Sequence, residues 1–198
     1  LDCQWIQELH TFGLLSGSFR PEDQVCKLRT LIRQRENLIQ YASAHIQHMQ
    51  KALTQMNIQL HKVISDISGV TGLKIISAIV DGERDRYKLA DMRHKGVKSS
   101  REQIAKALEG DYRDEHLFCL KQALTLYNVY HIEIEKCDNE IENRLIGFDH
   151  KVDGVKPLEK ASNSHSKNKP NFDLRTHLYQ IAGVDLTKID GIDVLTAL

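Results

Sequence analysis

V-C-K-L-R-T-L-I-R-Q-R-E-N-L-I-Q-Y-A-S-A-H-I-Q-H-M-Q-K-A-L-T-Q-M-N-I-Q-L-H-K-V-I-S-D-I, residues 25–67, is the stretch whose reading decides the fold class. Val25, Leu28, Ile32, Ile39, Ala42, Ile46, Met49, Leu53, Met56, Leu60, Val63 and Ile67 step along it by threes and fours, with Arg35 as the polar member of the row. That is a heptad seam. No Pro or Gly falls between Pro21 and Gly69, so the spacing predicts one continuous helix on the order of 60 Å long at about 1.5 Å per residue. A helix of that length cannot bury its stripe on itself and needs a helical partner.

A second long helix is expected over roughly 112–147, with Leu117, Leu120, Leu124, Tyr127, His131, Ile134, Asp138, Ile141 and Leu145 as its stripe. The first segment carries 6 Lys or Arg against Glu36 and Asp66, and the second 4 Lys or Arg against 7 acids. Opposite signs favour pairing of the two, within one chain or across a dimer. A connector of short helices lets the second return antiparallel, and a parallel pairing of the first helix with its own copy is equally compatible. Arg35 reads as a register-setting polar residue whose stem still packs, and His131 and Asp138 either as a similar device or as the place where the second helix leaves the bundle.

The connector punctuates itself. Gly69 and Gly72 end the first long helix in this reading, Leu73 to Val80 form a short apolar helix closed by Asp81-Gly82, and Arg86 to Met92 suggest another. Ser99 and Ser100 precede Glu102 and Gln103 at capping-box spacing and open a helix that Gly110 closes. Ahead of all this, Leu1, Trp5, Ile6, Leu9 and Phe12 mark a helical face stopped by Gly13, and Pro21-Glu22-Asp23 begin the long helix. Residues 148–171, rich in Lys, Ser, Asn and Gly, read as a flexible linker. Order resumes with Phe172, Leu174, Leu178, Tyr179 and Ile181, up to Gly183. The expected fold is therefore all-α: long antiparallel or dimeric coiled-coil helices with short connecting helices, then a linker and a partial helix-hairpin-helix-like domain.

Composition narrows the function classes. Among 198 residues, 27 Lys plus Arg balance 27 Asp plus Glu, which excludes a uniformly basic binder and an acidic disordered tail. Local basic patches stay open. No run of about 18 apolar residues occurs, so no membrane span is expected. Cys3, Cys26, Cys119 and Cys137 form no C-x-x-C pair and read as reduced thiols. The chain opens on Leu1 rather than Met and closes on the apolar run Val194 to Leu198, as a piece of a longer protein would.

Two segments suggest nucleic-acid contact. The tail Ile189, Gly191, Ile192, Leu195, Thr196, Ala197 has the form h-x-G-h-x-x-h-T-A of a helix-hairpin-helix, a module that holds a DNA phosphate on backbone N–H groups without reading sequence. Lys188 and Gly191 are its candidate contacts. Asp193 stands where a second Gly is usual, so a carboxylate there repels phosphate or caps the helix. Residues 92–101, M-R-H-K-G-V-K-S-S-R, contain no acid, and Arg93, Lys95, Lys98 and Arg101 make a candidate phosphate-contacting arm. His45 and His48, one turn apart, lack a third ligand at metal spacing and read as surface histidines. No Ser-His-Asp arrangement, P-loop or G-x-G-x-x-G is present.

Several phrases together resemble one family. L-D-C-Q-W-I-Q-E-L-H-T-F-G-L-L-S-G-S-F-R-P at 1–21 is similar to the segment closing the RuvC-like domain of DEDD insertion-sequence transposases, the IS one-hundred-and-ten class. L-R-T-L-I-R-Q-R at 28–35, Q-K-A-L-T-Q-M-N at 50–57, S-D-I-S-G-V-T-G-L-K-I-I-S-A-I at 65–79, G-E-R-D at 82–85 and G-V-D-L-T-K-I-D-G-I at 183–192 follow in the family's order. The resemblance implies the end of a RuvC-like domain over 1–20, a coiled-coil region over 21–147, a linker over 148–171 and the start of a second transposase domain over 172–198. It implies a parent enzyme that cuts and joins DNA, guided by an element-encoded RNA, with Mg²⁺ held by four acids. Of these acids only Asp2 carries over, as the candidate catalytic and metal-binding residue. The companion acids and a nucleophilic serine would lie outside these residues, so this segment alone is expected to be inactive and to bind no cofactor stably. The implied partners are DNA, the guide RNA and a homodimer or higher oligomer. The dimer seam would be Val25, Leu28, Ile32, Ile39, Ile46, Met49, Leu53, Met56, Leu60 and Val63, and the implied location the prokaryotic cytoplasm, at the nucleoid. The alternative reading is a non-catalytic coiled-coil adaptor without a nucleic-acid role.

Overall fold

The computed structural model describes residues 2–17, 19–152, 158 and 168–198. Among these it is all helical: α1 (Asp2–Thr11), α2 (Asp23–Gln55), α3 (Val70–Val80), α4 (Arg86–Asp91), α5 (Arg101–Ala107), α6 (Asp114–Ile146), α7 (Leu174–Ala182) and α8 (Val194–Ala197), with single 3₁₀ turns at Leu60–Lys62 and Leu186–Lys188. No described helix is long and apolar enough to cross a membrane. Most of the linker reading falls on 153–157 and 159–167, which lie outside the described residues.

α2 and α6 pair within the chain, and they pair antiparallel. Leu28 buries with Ile141 and Leu145, Arg35 meets Asp138, and the Tyr41 ring lies 5.7 Å from that of Tyr130. Rising numbers on one helix meet falling numbers on the other. The seam residues Leu28, Ala42, Met49 and Leu53 are buried in this pairing, while Ile32, Ile39 and Ile46 are partly buried against it. The seam is thus satisfied inside one chain, the first of the two arrangements its periodicity allows.

The first long helix is shorter than its heptads imply. It stops at Gln55, so Met56, Leu60 and Val63 are not seam positions of that helix, and neither Gly69 nor Gly72 ends it. The reason is a left-handed cap. Asn57 adopts φ +59°, a conformation that Asn tolerates better than most residues. The Ile58 N–H then donates to the Leu53 carbonyl and the Asn57 N–H to that of Thr54, both at 2.9 Å. These two bonds are a Schellman closure, and the apolar contact that accompanies one is present, since Leu53 and Ile58 are both buried. Gly72 instead sits in the first turn of α3, where a Cβ would lie 2.1 Å from the Ile67 carbonyl oxygen.

With the helix broken, the connector folds back over the end of the hairpin. Met56, Ile58 and Leu60 join Ile75, Ile76 and Ile79 of α3, Leu89 of α4, Ile104 and Leu108 of the α5 segment and Leu120 of α6 in one continuous core. A two-helix hairpin leaves the flanks of its seam wet, and this third layer covers them. Two backbone bonds fasten it: the Gln59 N–H donates to Ala107 (2.8 Å) and the Asp111 N–H to Met56 (2.9 Å). The expected capping box opens α5, with Ser100 accepting from the Gln103 N–H while the Gln103 side chain accepts from that of Ser100. At the opposite end of the hairpin a smaller cluster of Leu28, Ile141, Leu145 and Leu174 gathers Phe172 and Leu178 of the α7 segment and Val194, Leu195 and Leu198 of the α8 segment.

Between the two clusters lies the one break in apolar character. Arg35 and Asp138, 4% and 2% exposed, form a two-pronged ion pair in which Nε donates to Oδ1 and Nη2 to Oδ2. Asp138 Oδ2 also accepts the Asn171 N–H at 3.2 Å. Removing one partner of a buried pair strands a charge, which costs about 3–5 kcal/mol, whereas replacing both with apolar side chains is near neutral. Urea denaturation should show Asp138→Ala losing stability on that scale and Arg35→Met with Asp138→Leu recovering most of it. Gly110→Ala places a Cβ 2.3 Å from the Met56 carbonyl oxygen, and its midpoint should fall by an amount matching about 1–3 kcal/mol of overpacking.

Candidate nucleic-acid interface

The basic run 92–101 joins α4 to α5, and hydrogen bonds hold it in a defined path. The His94 N–H donates to Thr71 Oγ1 (2.9 Å), on the first turn of α3. Ser99 Oγ donates to the Val63 carbonyl at 2.5 Å. Not all of its cations are available to a ligand. Arg101 pairs with Asp91, with Nη2 at 2.8 Å from Oδ2, and its hydrogen bond holds the Asp91 carboxyl below its ordinary range. Arg93 Nη1 donates to the Ser99 carbonyl at 2.9 Å. These two arginines shape the loop, while Lys95 and Lys98 are exposed.

Lys98 lines a groove of about 760 Å³ together with residues distant from it in sequence. They include His61 and Lys62 of the 3₁₀ turn and Thr71 at the start of α3, with His94 beside it. Asp66 is the acid in the lining, and its Oδ1 already accepts from the Ser68 N–H (2.8 Å) and hydroxyl (2.7 Å). α3 enters the groove with Gly69 as its N-cap and no side chain capping it. Lysine charge plus the positive end of a helix dipole favours an anionic ligand here. His61 and Lys62 were hidden from sequence reasoning because they lie some thirty residues upstream and meet the loop only after the chain reverses at Asn57.

The tail candidates stand elsewhere. Gly191 adopts φ +84° in its turn, as the h-x-G-h pattern requires, and Lys188 is exposed at the end of the 3₁₀ turn. Asp193 caps α8, accepting from the Thr196 N–H at 2.7 Å and its hydroxyl at 2.8 Å. Its carboxylate therefore occupies the helix end that would otherwise face a phosphate. The tail packs near Leu28 and Leu145, whereas the groove is at the connector end. The two are separated by most of a 33-residue helix, roughly 50 Å.

Asp2 lies exposed in the first turn of α1. Among the described residues no three His, Cys, Asp or Glu side chains converge on a metal position. A lone exposed carboxylate supplies too few oxygens to hold Mg²⁺, so Asp2 by itself does not fit that ion. His45 and His48 contact edge to face with centroids 5.4 Å apart, and His45 also stacks on Tyr130. Burial, then the neighbouring His48, lowers the His45 pKa.

Within the tail a second ion pair joins α7 to the following 3₁₀ turn, Arg175 Nη2 to Asp185 Oδ2 at 2.5 Å. The Arg175 hydrogen bond, helped by Thr187, lowers the Asp185 carboxyl from 3.8 to about 2. A carboxylate with a depressed native pKa stabilises the fold fully above its unfolded value and loses that contribution as pH falls through the native one. Protection factors of the amides over 174–188, with the intrinsic pH dependence of exchange divided out, should therefore be flat above pH 4 and fall between about pH 4 and 2, and Asp185→Asn should abolish that acid response. Compared with protein-family models, curated proteins and solved structures, the chain returns no match.

Proposed function

We propose that this chain is the assembly and nucleic-acid-holding segment of a DNA strand-transfer enzyme of the insertion-sequence transposase type, serving dimerisation and the scaffolding of guide RNA and DNA. The observation that carries the reading is the groove lined by both Lys62 and Lys98 beside the uncapped start of α3, with Asp66 engaged by Ser68. Such a surface suits a phosphodiester backbone, which is held by charge and dipole without base reading. The ordered path of 92–101 adds to it, because an arm already fixed by Thr71 and Val63 loses little conformational freedom on binding.

The chemistry of the parent enzyme is proposed to reside in carboxylates and a serine beyond these residues, with Asp2 as one contributor. Apart from Asp2, the residues of this segment position nucleic acid and contribute no bond-making step. The second reading, a coiled-coil adaptor, is favoured by one observation: Arg93 and Arg101 are spent on internal contacts, so the loop carries fewer free cations than its composition suggests.

Fluorescence anisotropy with a labelled RNA hairpin and a labelled DNA duplex separates the two. The transposase reading expects affinity that falls steeply with salt, and a log–log salt slope reduced by about 2 in the Lys62→Glu, Lys98→Glu double variant. Arg101→Ala, which removes a cation already paired with Asp91, should change the slope less. Absence of binding to either probe at low salt would establish the adaptor reading instead.

A further inference from the structure

α6 has two apolar faces, and the hairpin uses one. Leu120, Tyr127, Ile134, Asp138, Ile141 and Leu145 face α2 and are buried. On the opposite side of the same helix Phe118, Val129 and Ile132 are exposed at 61%, 44% and 53%, with Leu126 beside them at 43%. The spacings among Phe118, Val129 and Ile132 return to one side of a 3.6-residue helix, so they form a second stripe and not a scatter of surface residues. Because the seam of α2 is consumed within the chain, a helical partner of the hairpin must dock elsewhere; among the described residues the open apolar helical faces are this stripe and that of the short α1 (Trp5, Ile6), and the stripe is the one carried by the hairpin itself.

We infer that the stripe is the contact between two copies of this chain, with their α6 helices antiparallel about a two-fold axis at Thr125. The inference rests on the dimerisation component of the proposed function and names the face that performs it. Self-complementarity selects a second copy. Antiparallel pairing about Thr125 sets Phe118 of each chain on Ile132 of the other, Leu126 near its own copy, and Val129 over the aliphatic stem of Lys121. The same register brings Lys136, exposed and leaning on Glu133 at 2.7 Å, against Asp114 in the first turn of the other α6. A parallel pairing would set Lys136 on Lys136 and Glu133 on Glu133. The isologous arrangement closes on itself and leaves no stripe free for a third chain. It also leaves the groove at Lys62 and Lys98 accessible, since that groove is lined by residues 61–71 and 94–98 and not by α6.

Sedimentation equilibrium of the whole chain at tens of micromolar tests this, with circular dichroism as the control for folding. The wild type should sediment at twice its 22.7 kDa mass. Phe118→Glu and Ile132→Glu should each return it to monomer with unchanged helicity, and Lys136→Glu should weaken the dimer at least tenfold. Asp114→Lys combined with Lys136→Glu should restore association, which a parallel register does not allow. A dimer that survives both apolar substitutions would overturn the assignment of this face while leaving dimerisation standing. A monomeric wild type would overturn both.

Discussion

Arg35 and Asp138 meet out of water in the middle of a seam that is otherwise apolar, and the arrangement of both halves of the molecule follows from that meeting. Hydrophobic contacts are tolerant of sliding, because one heptad of leucines and isoleucines packs much like the next. An ion pair is not tolerant. Shifting α6 along α2 by one heptad would bury an arginine and an aspartate among apolar side chains with no counter-charge, and the desolvation of each would go uncompensated. The pair therefore specifies register where the seam alone does not. It also marks the boundary between the two cores, the larger reaching Leu38 and Ile134 on one side and the smaller starting from Leu28 and Ile141 on the other. The free lone pair of Asp138 takes the Asn171 N–H, so the segment leading into α7 is positioned by the same carboxylate. Its neighbour Cys137 is affected as well, since burial and then the Asp138 and Glu133 charges raise the thiol pKa.

The connector is the second determinant. Its short helices are not spacers between the long ones but the third layer of the main core, and that layer exists because α2 ends at Gln55. Had the helix run on through Ile67, as its periodicity allows, Leu60 and Val63 would project along a rod and the connector would lack the return path that brings Ala107 to Gln59 and Asp111 to Met56. Burial of Ile58 and Leu60 in a three-layer core outweighs the helical bonds forgone beyond Gln55. The same reversal builds the cationic groove, because it carries His61 and Lys62 across to the 92–101 loop.

Much of this was legible in the residues. The heptad spacing located both long helices and left their pairing open between one chain and two, the Ser100–Gln103 spacing located a real capping box, and Gly13, Gly82, Gly183 and Gly191 mark turns with positive φ as their positions suggested. Arg35 and Asp138 each stood out as polar intruders, yet joining them required the antiparallel register, which no local pattern encodes. The end of α2 was illegible for a different reason. Asn57 is an ordinary residue in a heptad run, and its left-handed conformation is rewarded only by the tertiary burial of Ile58. Of the candidate site, Lys98 was found by charge, while Arg93 and Arg101 were equally basic but are committed to Ser99 and Asp91. Charge composition locates a loop and does not tell which cations inside it are already engaged.

Arg35 and Asp138 are 103 residues apart along the chain. Joining them directly from an open coil would demand a large loss of loop entropy before any return, since closure cost grows with the logarithm of the intervening length. The compact clasp at Met56, Gln59, Ala107 and Asp111 shortens that path, because once it has condensed, the bases of both rods are already adjacent. Closing the hairpin from the clasp outward therefore costs less loop entropy than closing it first at the charged pair. In that order the pair lies midway, and the same Asp138 carboxylate that completes it also receives the Asn171 N–H ahead of the tail.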